Sequence, residues 1–384
     1  MNITNDIIYI GQDDKDIRLF ESQYETPDGM CYNSYVIMDD DIAIMDTSDS
    51  RTLAAWKEDL KKALNGKQPK YLVVHHMEPD HASGIGDVVE MFPDITVVCS
   101  AKAQAMMPLY FPNTKVADKT MVVKEGDSIS LGKHQLQFFM APMVHWPEVM
   151  VTYDATDKVL FSADGFGKFG ALSADEDWAC EARRYYFNIC GKYGMQVQKL
   201  LKAASALDIQ IICPLHGPIL KENLGYYIGL YDTWSKYGVE TEGVLIAYAS
   251  IHGGTKVVAE KVAEMFREKN IGKVAITDLC RDDMAEAIED AFRMNRLVLA
   301  AASYDASVFP PMYDFIHHLE MKAYQKRKVG IIENGSWAPT AAKTMKKLLE
   351  GCKDIEIVEP TVTIWSRMKE SDIPQLQALV DAMV

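Results

Sequence analysis

Apolar and polar residues follow two different rhythms along this chain. Up to about residue 240, short apolar runs are broken by acidic or glycine-bearing turns. The segment YNSYVIMDDDIAIMDT reads as two strands about an acidic turn, and HQLQFFMAPMVHWPEVMVTYD as two more. Between them TLAAWKEDLKKAL spaces its apolar residues as a helix does. The pattern predicts an α+β domain with mostly antiparallel neighbours. After YDTWSKYGVETEG the rhythm changes. Strand VLIAYAS precedes helix TKVVAEKVAEMFREK; strand VAITDL precedes helix MAEAIEDAFR; strand LVLAAAS precedes a further helix. Strand KVGIIE and helix TAAKTMKKLLEG continue the series. Regular β-α alternation with continuously apolar strands predicts an α/β domain, a doubly wound parallel sheet covered on both faces. We place the boundary at 242, giving domains 1–242 and 243–384.

A chain of 384 residues exceeds one ordinary core, which agrees with two domains. The net charge of −15 disfavours a nucleic acid or an anionic membrane as partner, since both need basic patches. The start lacks a basic segment followed by an apolar one, and no apolar run approaches the ~20 residues of a membrane helix. The seven cysteines are odd in number and scattered, so the expectation is reduced thiols in a cytoplasmic protein. No two of them form a C-x-x-C pair, as a thiolate-bound iron module would require.

The chain has nine histidines, and three fall in VVHHMEPDHASG, residues 73–84. His75 ends a buried strand and says least. His76 and Glu78, two apart, share one side of an extended chain. Pro79 keeps Glu78 extended, and Asp80 and His81 follow at the start of a helix. Elsewhere His145, in APMVHWPE, lies near a strand end. Asp164 follows the apolar strand in VLFSADGFG, with Gly165 to allow a sharp turn. His216 follows another strand in IQIICPLHGP. Each is a polar residue at the lip of an apolar strand, where sites are built. Taken singly, each reads as a core histidine or a turn acid. Together, His76, Glu78, Asp80, His81, His145, Asp164 and His216 are too many donors for one tetrahedral metal. They suit two metals bridged by a carboxylate, with Asp164 the candidate bridge.

The series His76-x-Glu78-x-Asp80-His81, with His145, Asp164 and His216 after it, resembles the metallo-β-lactamase fold, an αββα sandwich. In hydrolases of that fold the second position is histidine and the metals are zinc. Glu78 in its place hardens the site and favours iron. This form is similar to the flavodiiron proteins, and the resemblance spans the whole chain because their second domain is flavodoxin-like. It implies one iron on His76, Glu78 and His145 and another on Asp80, His81 and His216. Under that resemblance Asp164 bridges them and, with Glu78 and Trp146, counts among the catalytic residues. Trp146 also matches the family and is expected to pack beside the site.

In the second domain the loop Ser250-Ile251-His252-Gly253-Gly254-Thr255 ends at a helix N-terminus, where free N–H groups favour a phosphate. Neither G-x-x-x-x-G-K-[ST] nor G-x-G-x-x-G is present, which disfavours nucleoside triphosphates and nicotinamide dinucleotides. A mononucleotide phosphate remains, as in flavodoxins. Two further loops follow parallel strands and offer Ser303, Tyr304, Asp305, Asn334, Gly335, Ser336 and Trp337. Tyr304 and Trp337 suit the faces of a flavin ring, so FMN is the expected cofactor beside two iron ions. The chain departs from the family at His252, usually aromatic, and at Gly254, usually small and polar. His317 and His318 read as surface or packing residues.

The resemblance implies reduction of dioxygen to water or of nitric oxide to nitrous oxide, by a head-to-tail homodimer with a separate rubredoxin-like donor. Some members place a histidine in the stretch that is here YETPDGMCYNSY, where Pro27 and Asp28 stand instead. Tyr32 and Glu148 are candidates for a proton path. Two rival readings are a zinc-dependent hydrolase and an FMN electron carrier with a structural metal site.

Overall fold

The computed structural model describes residues 1–175 and 177–384. It divides into two compact units: residues 1–186 with 195–231, and residues 187–194 with 232–384. Residues 187–194 and 232–242, ahead of the expected boundary, group with the second unit.

The first unit pairs two sheets. One orders its strands as Ile7–Tyr9, Tyr35–Ile37, Ile42–Met45, Pro69–Val73, Thr96–Ser100 and Thr120–Val123. Period-two alternation decides what each face covers. Val36, Ile44, Leu72 and Val97 face helices, among them Leu53–Leu64, which buries Trp56, Leu60 and Leu64 one turn apart. Burying each of these large side chains contributes roughly 1.5–3 kcal/mol. Tyr35, Ile37, Met45, Val73 and Val98 point the other way, onto Leu136, Phe138, Met150 and Phe161 of the second sheet. The result is the layered sandwich the sequence predicts.

The first sheet differs from the expectation of mostly antiparallel neighbours. From Ile42–Met45 to Thr120–Val123 its strands run parallel. Helices Leu53–Leu64 and Ile85–Met91 carry the chain back along the sheet between strands, which parallel pairing requires.

The second sheet orders Ser128–Ser130, Gln135–Met140, Met150–Asp154, Val159–Phe161 and Ile211–Cys213. Gln135–Met140 and Val159–Phe161 are both antiparallel to Met150–Asp154, and Ile211–Cys213 is parallel to Val159–Phe161. Three strands therefore run in one direction and release their following loops at one end of the sheet.

At the hairpin of that sheet His134 is fully buried. Its Nδ1 lies 2.8 Å from Asp154 Oδ2 and its Nε2 lies 3.3 Å from Asp6 Oδ2. Lys133 also pairs with Asp6.

In the second unit all five strands of the main path are parallel, in the order Lys273–Asp278, Thr241–Ala249, Met294–Tyr304, Gln325–Asn334 and Lys353–Ile364. The last strand and the helix Ile373–Met383 go beyond the sequence reading. Pro360 interrupts the strand's pattern, and the strand lies at the sheet edge, where a proline is tolerated. Arg327, 3% exposed, donates to the carbonyls of Met294, Phe292, Tyr237 and Gly238 and fixes the entry to this unit. Among the described residues no helix is long and apolar enough to cross a membrane.

Two predictions follow from these buried charges. Arg327→Met leaves several buried carbonyls unpaired. It should lower the unfolding free energy of the second unit by about 3 kcal/mol, read by urea titration of the full chain; an unchanged midpoint contradicts this. For His134, burial favours the neutral ring, but Asp154, Asp6 and Asp157 outweigh it and raise the pKa above its ordinary 6.5. The protonated ring is then favoured by folding, so its contribution is fully present below pH 6.5 and fades as pH rises through the folded value. The stability gap between wild type and His134→Gln should therefore narrow with rising pH, and a gap that widens contradicts the assignment.

Candidate metal centre and cofactor pocket

Four loops assemble the centre in the first unit. Strand Pro69–Val73 ends just before His75 and His76, and Glu78 is extended at φ −61°, ψ 137°. Pro79 then opens a single helical turn, Pro79–Ala82, that carries Asp80 and His81. The loops after Gln135–Met140, Val159–Phe161 and Ile211–Cys213 supply His145, Asp164 and His216. His145 sits deep in its loop rather than at a strand end. The turn at Asp164 also differs from expectation. Ala163 and Phe166, not Gly165, adopt left-handed backbone, at φ 51° and 67°. Gly165 is needed for space, since a Cβ there would lie 2.9 Å from the Ser162 carbonyl oxygen.

The seven side chains converge in two groups. His76, Glu78, His145 and Asp164 offer donor atoms within 4.8 Å of one another, as do Asp80, His81 and His216. In the first group the Nε2 atoms of His76 and His145 are 3.3 Å apart, and Glu78 Oε2 is 3.1 and 3.0 Å from them. In the second, His81 and His216 face each other at 3.0 Å between Nε2 atoms, each 3.2 Å from Asp80 Oδ2.

Asp164 touches both groups with different oxygens. Oδ2 lies 3.4 and 3.1 Å from His76 and His145, while Oδ1 lies 3.5 and 3.9 Å from His81 and His216. The carboxylate oxygens of Asp164 and Asp80 are buried without a well-aligned hydrogen bond. Buried acceptors in that state are costly unless a cation meets them. The donor set therefore fits two metal ions joined by one carboxylate.

The electrostatics of these side chains show the same demand for positive charge. Burial favours neutral rings, yet Asp164, Glu148 and Glu78 raise His76 well above its ordinary value. His145 is pushed up to about 9 against its burial by Asp164 and Glu78. Burial, with Glu78 and Asp164, lifts Asp80 to about 6 despite His216.

Surrounding residues orient the ligands. Glu148 Oε1 accepts from Met77 N at 2.9 Å and lies 2.8 Å from His76 Nδ1, leaving Nε2 turned to the centre. This places Glu148, expected on a proton path, as a clamp on a ligand. The Cys31 carbonyl does the same for His216 Nδ1 at 2.7 Å. Behind the ligand strand, His75 is held between Asp46 and Thr152 Oγ1, at 2.7 Å from the latter. Trp146 meets His76 edge-on at 5.2 Å, and Phe20, Tyr32 and Tyr185 pack within 6 Å of the His216 ring. The sequence reading missed Phe20, Tyr185 and Glu21. Burial and the adjacent Glu78 carboxylate, against His145, lift Glu21 to about 7. Phe20 and Glu21 lie in a turn-rich stretch without periodicity, and Tyr185 ends the helix Trp178–Tyr185 far along the chain, so no local signal marked them.

In the second unit a cavity of about 1070 Å³ opens at the carboxyl ends of the parallel strands. Its lining includes Ser250, His252, Gly253, Gly254 and Thr255, then Ser303, Tyr304 and Asp305, then Asn334, Gly335, Ser336 and Trp337. Gly253, at φ 85°, turns the chain into helix Gly254–Glu268. Tyr304 and Trp337 are 45% and 88% exposed, leaving their rings available to stack on a planar ligand. Several polar side chains serve the loops themselves. Ser303 Oγ accepts from Thr340 N at 2.8 Å, and Ser250 Oγ from Gly253 N at 3.1 Å. Asn334 bonds Ser366 through both ends of its amide, at 2.9 and 3.1 Å. A fourth loop, Ser366–Met368, lines the cavity and was absent from the sequence reading because its strand was.

A strand-loop-helix cavity of this kind, in the same chain as a ligand set centred on one carboxylate, fits a two-cofactor redox protein. Residues 30–217 match the family described as ODP family beta lactamase. A nitric oxide reductase of Moorella thermoacetica is 30% identical over 94% of this chain and 92% of its own length. An anaerobic nitric oxide reductase flavorubredoxin of Salmonella arizonae is 26% identical over 91% of this chain and 74% of its own. The structure of rubredoxin oxygen:oxidoreductase from Desulfovibrio gigas matches with TM-score 0.92 at 23% identity, over 100% of this chain and 97% of that one. The flavodiiron protein of Giardia intestinalis matches with TM-score 0.90 at 24% identity, over 99% and 95%. This chain belongs to the flavodiiron protein family.

The clamp on His76 yields a prediction. Glu148→Ala frees the ring to rotate, and metal affinity at the first group should fall about tenfold or more. Competitive chelation followed by metal analysis measures this; unchanged retention of both metals contradicts the role.

Proposed function

We propose that this chain is a flavodiiron oxidoreductase that reduces dioxygen to water or nitric oxide to nitrous oxide, with electrons arriving through FMN. One observation carries the reading: the two oxygens of buried Asp164 face two separate sets of ligands. A single structural metal has no use for that arrangement. The names of the relatives, nitric oxide reductase and flavorubredoxin, support nitric oxide as a substrate, and that of the Desulfovibrio gigas protein supports dioxygen and a rubredoxin donor. We further take the donor to be a separate protein, the chain to act as a head-to-tail homodimer, and its location to be cytoplasmic.

Bound iron supplies the change of oxidation state and bound FMN the store of electrons. The chain's own residues hold and orient. His76, Glu78 and His145 would hold one ion and Asp80, His81 and His216 the other, with Asp164 common to both. Glu78 makes the first set harder than an all-imidazole set, which favours iron over zinc. Glu148 and the Cys31 carbonyl fix the tautomers of His76 and His216 so that Nε2 remains the donor. Phe20, Tyr32, Tyr185 and Trp146 wall the centre with aromatic edges and keep water from its ligands. In the second unit the strand-end loops would cradle FMN, its phosphate at the start of helix Gly254–Glu268 and its ring between Tyr304 and Trp337.

The test is anaerobic reduction of the purified protein with rubredoxin and its reductase, then separate exposure to dioxygen and to nitric oxide. Rapid reoxidation of the flavin by at least one gas is expected, with Asp164→Ala abolishing it while FMN remains bound. Zinc in place of iron with no flavin absorbance, or full turnover by Asp164→Ala, contradicts the assignment.

A further inference from the structure

The loop at the end of strand Lys353–Ile364 carries an exposed cation. Arg367 is exposed and lines the cavity, and among the described residues it makes no ion pair and no side-chain hydrogen bond. It is also the one permanent cation among the described residues lining that cavity, which otherwise holds the acid Asp305. A guanidinium left open at the wall of a ligand cavity is poised for an anion.

Three contacts fix where that loop stands. Asn334 bonds both the N–H and the carbonyl of Ser366. Ser336 and Ser366 share a hydroxyl hydrogen bond of 2.6 Å. The Ser366 carbonyl oxygen lies so near helix Gly254–Glu268 that a Cβ on residue 254 would stand 2.8 Å from it. The loop thus rests on the first residue of the helix whose free N–H groups face the cavity. It also explains why residue 254 is glycine, since any side chain there collides with the Ser366 backbone. Residue 254 therefore presents only backbone at the helix start, and the loop that excludes a side chain there brings Arg367 to the same cavity.

We propose that Arg367 binds the phosphate dianion of the flavin mononucleotide and makes this pocket selective for phosphorylated over unphosphorylated flavin. The proposal rests on the FMN reading above. A charge-assisted, forked contact to phosphate oxygens is what a guanidinium offers and an ammonium or an amide does not. It would reinforce the backbone N–H groups at the helix start, where Gly254 offers no side chain.

The experiment is fluorescence titration of the flavin-stripped full-length chain with FMN and, separately, with riboflavin. Wild type, Arg367→Gln and Arg367→Lys are compared. Arg367→Gln should weaken FMN binding by about tenfold or more while changing riboflavin binding less than about twofold. Arg367→Lys should recover part of the loss, and added salt should weaken wild type more than Arg367→Gln. Equal losses for FMN and riboflavin would overturn the proposal, because they would place Arg367 at the ring or in loop packing. Unchanged FMN affinity in Arg367→Gln would overturn it as well. Failure of wild type to bind either flavin would overturn the FMN reading itself, a result distinct from both.

Discussion

The structure of the first unit turns on one buried carboxylate that must satisfy two sites at once. Asp164 presents one oxygen to His76 and His145 and the other to His81 and His216. Three acids and four histidines meet there, and Asp80, His81, Asp164 and His216 are nearly or fully removed from solvent. Such a concentration of acceptors and lone pairs in a low-dielectric interior is unfavourable unless cations neutralise it. The fold accommodates it by drawing the ligands from four loops at strand ends, so that each backbone is anchored by sheet pairing before its side chain reaches the centre. The lower layer of support is equally specific: Glu148 and the Cys31 carbonyl hold two ligand rings, and His75 ties the ligand-bearing loop to Asp46 and Thr152.

Glu78 decides the chemistry within that frame. Its carboxylate lies 3.1 and 3.0 Å from the Nε2 atoms of His76 and His145, adding a hard anionic donor where an imidazole would be softer and neutral. Charge of that kind favours an ion that changes oxidation state over one that does not. A flavin pocket in the same chain can supply electrons to such an ion. The two units therefore make chemical sense together, although each is built on its own core.

Much of this was legible along the chain because the ligands are polar residues standing where apolar strands stop. His76, Glu78, Asp80 and His81 carry a local pattern, and Asp164 and His216 repeat its logic at other strand ends, while His145 lies deeper in the loop beyond one. The βα alternation exposed the second unit in the same way. What stayed hidden depends on approach in three dimensions. Glu148 lies far along the chain from His76, and Glu21 and Phe20 come from a stretch of turns with no period. The parallel run in the first sheet was missed because short apolar strands read alike in either direction. The edge strand with Pro360 broke its own pattern, and with it went the loop that carries Arg367. The turn at Asp164 was assigned to Gly165, whereas Ala163 and Phe166 take the left-handed backbone, a choice set by the packing around the bridge.

Diffraction from crystals of the iron-loaded protein, recorded either side of the iron absorption edge, bears most directly on the shared carboxylate. The account predicts two iron peaks roughly 3.5–4 Å apart, one within each ligand group and Asp164 between them. A single peak, or two ions of which neither contacts Asp164, would contradict it.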